Sequence, residues 1–204
     1  MANEKRTYKS FWEWDEKSKQ KEYTEKTPLL GNDGTLLAKG WARRNVFEYD
    51  RTKSAPNNRK KEWDFYQLSN GKFMVQISFA NISIGGYVSA KLVDLRNKKV
   101  IADVMSPFLG GKKYIPNPKG DVPNNMKYKI GGAEFEFDTK ETSRTLYFKM
   151  KNVVCNFQMD IPEGLENITT VLPFKGYPTK YFMTTKQMCM PCAGTFEYGD
   201  EIYE

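Results

Sequence analysis

Glu62-Trp63-Asp64-Phe65-Tyr66-Gln67-Leu68, Ser69-Asn70-Gly71-Lys72, Phe73-Met74-Val75-Gln76-Ile77-Ser78-Phe79 is the stretch that decides the fold. Two runs of alternating large and polar side chains flank a turn of Ser, Asn and Gly, which is the pattern of a β-hairpin. In the second run Phe73, Val75, Ile77 and Phe79 fall on one face, because side chains alternate along a strand. In the first run Glu62, Asp64 and Tyr66 fall on one face, and Trp63 and Phe65 on the other.

Outward from this hairpin the same period recurs. Gly86 to Asp94, Val100 to Val104, Met126 to Ile130, Ala133 to Asp138, Thr145 to Lys151 and Val153 to Asp160 follow at similar spacing, then Thr169 to Leu172, Tyr181 to Thr185 and Gly194 to Tyr198. Turn residues separate them at Leu95–Lys99, Gly131-Gly132, Lys151-Asn152 and Gly199-Asp200. Short strands without helical patterns between them predict an all-β fold, an antiparallel meander closed into a barrel or folded as a sandwich. Upstream, Pro28-Leu29-Leu30 and Thr35-Leu36-Leu37 bracket a Gly31-Asn32-Asp33-Gly34 turn. Residues 1–27 read as a charged N-terminal arm, partly helical between Trp12 and Glu25, and residues 28–204 as one β-rich domain.

Composition sets limits. A chain of 204 residues suffices for one domain with a real core, and its 14% aromatic content is that of a folded protein with a polar exterior, mean hydropathy -0.68. No apolar run approaches the roughly 20 residues that cross a bilayer, so no transmembrane segment is expected. The start, Met1-Ala2-Asn3-Glu4-Lys5-Arg6, lacks an apolar signal segment, and three cysteines cannot all pair, so a cytoplasmic location is expected. The net charge is +7, and residues 1–61 hold 15 Lys/Arg against 9 Asp/Glu. That excess admits an anionic membrane or nucleic acid as a third class of partner. No nucleic-acid module accompanies the basic stretch Arg51, Lys53, Arg59, Lys60, Lys61, so a solvated loop is the preferred reading and nucleic acid is disfavoured.

The chain has no histidine, which removes Ser-His and Cys-His nucleophile activation and the commonest transition-metal ligand together. Cys189-Met190-Pro191-Cys192 is a single C-x-x-C without a second pair, so buried structural thiols are expected and no metal or cofactor is called for. Gly110-Gly111-Lys112-Lys113 lacks the rest of a phosphate loop. Glu62, Asp64 and Tyr66 form the candidate catalytic set: facing a cavity, two carboxylates beside a phenol suit proton transfer, whereas facing water they are a salt-bridged surface. Gly40-Trp41-Ala42-Arg43-Arg44 joins an aromatic to two guanidinium groups able to hold an acidic head, or forms a stacked surface cap.

Taken in order, Leu29-Leu30 with Gly34, Gly40-Trp41-Ala42-Arg43-Arg44, Lys61-Glu62-Trp63-Asp64-Phe65-Tyr66 and Cys189-Met190-Pro191-Cys192-Ala193-Gly194 resemble the bacterial family called domain of unknown function 2804. The resemblance spans about Pro28 to the C-terminus. It implies a distant similarity to calycin-like proteins with two lipocalin-type barrels, among them carotenoid hydratases and tocopherol cyclases acting on apolar ligands. It also implies that the chain corresponds to an N-terminal portion, a C-terminal half being absent. The resulting expectation is a lipocalin-like barrel or half-barrel binding an apolar or amphipathic small molecule. Its interior would be lined by Trp41, Trp63, Phe65, Phe79, Tyr87 or Phe148, with Arg43 or Arg44 as anchor. The alternative is a cofactor-independent isomerase, hydratase or cyclase working through Glu62, Asp64 and Tyr66.

Overall fold

The computed structural model describes residues 21–54, 60–116 and 123–204. In chain order the strands are β1 (Thr27–Pro28), β2 (Gly40–Ala42), β3 (Phe47–Glu48), β4 (Glu62–Ser69), β5 (Phe73–Asn81), β6 (Gly85–Asp94), β7 (Lys99–Leu109) and β8 (Asn124–Ile130). They continue with β9 (Ala133–Thr139), β10 (Ser143–Met150), β11 (Val153–Asp160), β12 (Asn167–Phe174), β13 (Tyr177–Gln187), β14 (Cys192–Tyr198) and β15 (Glu201–Tyr203). Among the described residues the one helical element is a short 3-10 turn, Arg51–Lys53, and no helix is long and apolar enough to cross a membrane.

Each expected hairpin forms. Asn70 builds the β4–β5 turn by accepting from the backbone N–H of Lys72 and Phe73 at 2.9 and 2.8 Å, an Asx turn that frees Gly71 to take φ +80°. The result is a four-stranded antiparallel sheet, β4-β5-β6-β7, facing a six-stranded one, β15-β14-β11-β10-β9-β8. The inward phase of both sheets meets in one core. Phe79, completely buried, stacks at 5.8 Å on Phe108 and lies 5.4 Å from Phe135, itself 5.2 Å from Phe137. Phe148 and Phe196 belong to the same buried cluster.

The meander does not continue through one ladder. Among the described residues the strands fall into four sheets, none closed into a barrel. At the β7–β8 corner the sheets are tied by a side chain: Ser106 Oγ donates to the Ile130 carbonyl at 2.6 Å. The opposite corner is tied where Asn70 donates to the Glu204 carbonyl at 2.6 Å and Phe73 meets Tyr203 edge-on at 5.1 Å.

Between β11 and β14 the chain leaves the six-stranded sheet. The β12–β13 hairpin pairs instead with β2, through Thr169↔Ala42, Thr170↔Trp41 and Val171↔Gly40. A second, smaller core forms there from Leu29, Leu30, Ala38, Ala42, Phe47 and Val171. Of the arm expected to be partly helical, residues 12–20 lie outside the described residues, while Lys21–Glu25 carry no helix: Glu22 bridges Trp41 and the chain bends at Glu25. Tyr23 N–H donates to the Trp41 carbonyl at 2.8 Å and Trp41 N–H to the Lys21 carbonyl at 3.0 Å. Tyr23 also sets its ring on Phe47 at 5.1 Å, so pairing and packing outweigh any helical tendency of this charged segment. Gly40 makes the contact possible: at φ +141°, a Cβ there would sit 2.1 Å from the Lys21 carbonyl oxygen.

Candidate functional site

A cleft of about 1690 Å³ opens between the inner face of β4, the far ends of β9–β11, the β13 strand and the 188–194 segment. The alternation along β4 builds one wall. Glu62, Asp64 and Tyr66 are half-buried and in phase with buried Leu68, whereas Trp63 and Phe65 are exposed on the outer face. The cleft wraps this strand, so both faces contribute to its lining. Trp63 lies 6.0 Å from Phe182 of β13, closing the rim on that side. Deeper, Val75, Leu92, Phe137 and Phe157 supply an apolar floor, and Met126, Met159, Met183, Met188 and Met190 line the walls. Methionine's flexible, polarisable side chain suits a surface that adapts to a ligand.

The three residues of the candidate catalytic set have different partners. Glu62 is fully engaged: Arg51 Nε donates to its two oxygens at 2.8 and 3.1 Å, and Tyr49 Oη donates at 2.8 Å. The Arg51 and Glu62 side chains are 16% and 14% exposed, so the clamp is largely shielded from water. Burial, then the Glu62 charge, push the Tyr49 phenol well above its usual range, which keeps it a donor. Lys60 donates to the Arg51 carbonyl at 3.2 Å, and its ammonium is pushed down by burial and then by Arg51.

Asp64 has no such clamp. Its carboxyl lines the cleft, so water touches it, yet protein surrounds the site closely enough that loss of hydration raises its pKa to about 6. The Arg144 guanidinium opposes that rise and the Glu62 charge adds to it. Tyr66 is pushed up chiefly by burial and secondarily by Asp64, with a hydrogen bond to Thr139 acting the other way, and its ring meets Phe137 edge-on at 5.6 Å. Asp64 therefore changes protonation near neutral pH beside a phenol that stays neutral.

Arg144, Thr139, Arg51 and Tyr49 were not among the sequence candidates. Arg144, the second residue of β10, is in the same phase as buried Leu146, Phe148 and Met150, and Thr139 ends β9 in phase with Phe135 and Phe137. A charged residue in the core phase of a strand was the signal. The hairpin holds the guanidinium, which donates to the Ser143 carbonyl at 3.0 Å and to the Lys140 carbonyl.

Trp41, Arg43 and Arg44 do not line the cleft. Arg43 lies 5.4 Å from the Trp41 ring and pairs with Glu22 at 3.1 Å and Glu166 at 3.4 Å on the surface, and Arg44 is exposed. Phe79 and Phe148 are completely buried in the core and do not line the cleft, and Tyr87 is on the outside. The expectation of buried thiols at Cys189 and Cys192 is overturned, whereas Cys155 is buried. Cys189 and Cys192 are exposed because the 188–192 segment forms the cleft rim rather than packing inside.

Among known protein families, the one described as Domain of unknown function (DUF2804) matches residues 20–204. No curated protein and no solved structure matches the chain.

Proposed function

The chain belongs to the DUF2804 family, a membership that carries no assigned reaction, and from that premise we propose that it binds an apolar or amphipathic small molecule in the β4–β13 cleft. One observation carries the reading: a large, mostly apolar recess whose polar groups converge at Asp64, Tyr66 and Arg144. Ligand sites combine these same elements, apolar walls and a few fixed polar anchors. The volume, about 1690 Å³, exceeds the roughly 300–1,000 Å³ common for such sites, which suits an elongated molecule. Its apolar body lies along Phe157 and the methionines, and a hydroxyl or carbonyl end meets Asp64 and Arg144. The two facing sheets then act as the walls of a lipocalin-like half-barrel, and the apolar ligands of calycin-like proteins point the same way.

Native mass spectrometry of protein purified without detergent is expected to reveal a bound small molecule. A fluorescently tagged long-chain alcohol is expected to bind saturably, and Phe182→Asp to weaken it by placing a charge at the rim. Absence of any bound species together with non-saturable probe binding would reject the proposal.

A second reading has its own support, the acid with a pKa of about 6. In it Asp64 is the proton-transfer residue of a cofactor-independent isomerase, hydratase or cyclase, Tyr66 and Arg144 hold the substrate's oxygen, and Glu62 keeps Arg51 and Tyr49 in place. The co-purified molecule, returned to wild-type protein, would be rearranged or gain one water, and Asp64→Asn would bind it unchanged without converting it. Equal conversion by the variant would exclude this chemistry.

A further inference from the structure

The cleft rim carries two thiols, Cys189 and Cys192, that the small-molecule reading leaves unused. Met188, Cys189, Met190 and Cys192 fall within five consecutive residues, and all four line the cleft. Both thiols are free and exposed. A further sulfur comes from the neighbouring strand: Cys192 stands directly opposite Met159 in the β11–β14 register. Direct antiparallel partners share a face, with Cβ atoms about 4.5–5.5 Å apart. Met159 also lines the cleft, so Cys192 is directed there by the ladder itself. Asp160 N–H donates to the Pro191 carbonyl at 2.9 Å, which fixes the segment between the cysteines, and Cys189 turns the chain with a left-handed backbone, φ +61°.

The donor set selects the ion. Structural zinc takes four ligands drawn from thiolate, imidazole and carboxylate, and among the described residues no group of three or more His, Cys, Asp or Glu gathers anywhere. The scarcity of a second C-x-x-C or of histidine thus argues against zinc, but it does not argue against a soft monovalent ion. Thiolate and thioether donors are the preferred ligands of Cu(I), which two or three of them satisfy.

We propose that Cys189 and Cys192, with the thioether of Met159 or Met190, form a binding site for one soft monovalent cation, Cu(I) or its analogue Ag(I). The ion enters and stays monovalent, so no electron is transferred. Each thiol releases its proton to solvent as its sulfur bonds to the ion, and binding weakens as pH falls. This site does not depend on the small-molecule proposal.

Anaerobic titration of the reduced full chain with Cu(I), in competition with the chelator bicinchoninate, tests it. One ion per chain is expected to leave the chelator, with a thiolate-to-metal absorption band in the ultraviolet. Cys189→Ser and Cys192→Ser are each expected to lose affinity by more than the roughly 10- to 100-fold that outer-shell partners contribute. Met159→Leu and Met190→Leu, which conserve volume, separate the two thioethers: one of them weakens binding and the other does not. Cys155→Ser, whose thiol is buried in the core, is expected to bind as wild type does. The site is refuted if the chain fails to compete with the chelator, if either rim serine variant binds like wild type with its circular dichroism unchanged, or if Zn(II) displaces Cu(I).

Discussion

Asp64, the cleft carboxyl whose pKa burial raises to about 6, weakens the fold. Its folded-state pKa, about 6, lies above the ordinary 3.8, so the folded chain holds a proton that the unfolded chain has released between those values. The sign follows: the stability linked to this proton is fully present below about pH 4 and is lost as pH rises through about 6. The difference amounts to about 3 kcal/mol. Asp64→Asn, which removes the buried charge, is therefore expected to raise the denaturation midpoint at about pH 8, and the gap to wild type should close near pH 4. Denaturant titration at the two pH values checks it, and equal midpoints at the higher pH would show that Asp64 is solvated. The Arg51–Glu62 clamp makes the opposite prediction. Arg51→Ala strands a shielded carboxylate and is expected to cost about 2–4 kcal/mol, with Arg51→Ala/Glu62→Gln recovering part of the loss. These roles were partly legible beforehand. The period of β4 placed Glu62, Asp64 and Tyr66 on one face, but only the fold brings Arg144, eighty residues downstream, to Asp64 and assigns Arg51 to Glu62.

At the scale of elements, the strands β4 to β7 and β8 to β11 follow directly from alternation and turn residues, since within each set every strand pairs with its neighbour in the chain, while the break between β7 and β8 does not. β1, β2 and β3 escape that logic. β1 and β3 pair in parallel, Thr27↔Phe47 and Pro28↔Glu48, and Glu22 bridges Trp41 in parallel, so their partners are set by distant packing rather than by a turn. The residue types of the Gly40-Trp41-Ala42-Arg43-Arg44 motif admit either an acidic-head anchor or a stacked surface cap. Its place in the fold is a docking point for Lys21–Tyr23, with Arg43 tying Glu22 to Glu166. Gly40→Ala tests the docking point. The new methyl group collides with the Lys21 carbonyl, and the substitution is expected to cost about 1–3 kcal/mol and to speed tryptic cleavage at Lys21 and Lys26. Unchanged cleavage would mean that the segment docks without this close approach.

For the molecule as a whole, one aromatic stack joins the two sheets. Phe79 of β5 touches Phe108 of β7 and Phe135 of β9, so neither sheet keeps its buried face without the other. Phe79→Ala is expected to cost about 3–5 kcal/mol and to lower the stability of both sheets in a single transition. Two resolved transitions, one for each sheet, would contradict a shared core. Strand spacing leaves a closed barrel and a sandwich both open, because it counts strands but does not say whether the last ladder forms, and none of the four sheets closes. Here the corners are tied by Ser106 and Asn70 side chains.

The pairing of β2 with β12 has a consequence for the order of events during synthesis. Trp41 and Ala42 leave the ribosome long before Thr169 and Thr170, their partners, exist. At about 5–20 residues per second, on the order of ten seconds separate the two. Throughout that interval Leu29, Leu30 and Phe47 lack the hairpin surface that covers them, and a nascent-chain chaperone has a longer opportunity at these residues than at the locally paired strands that follow.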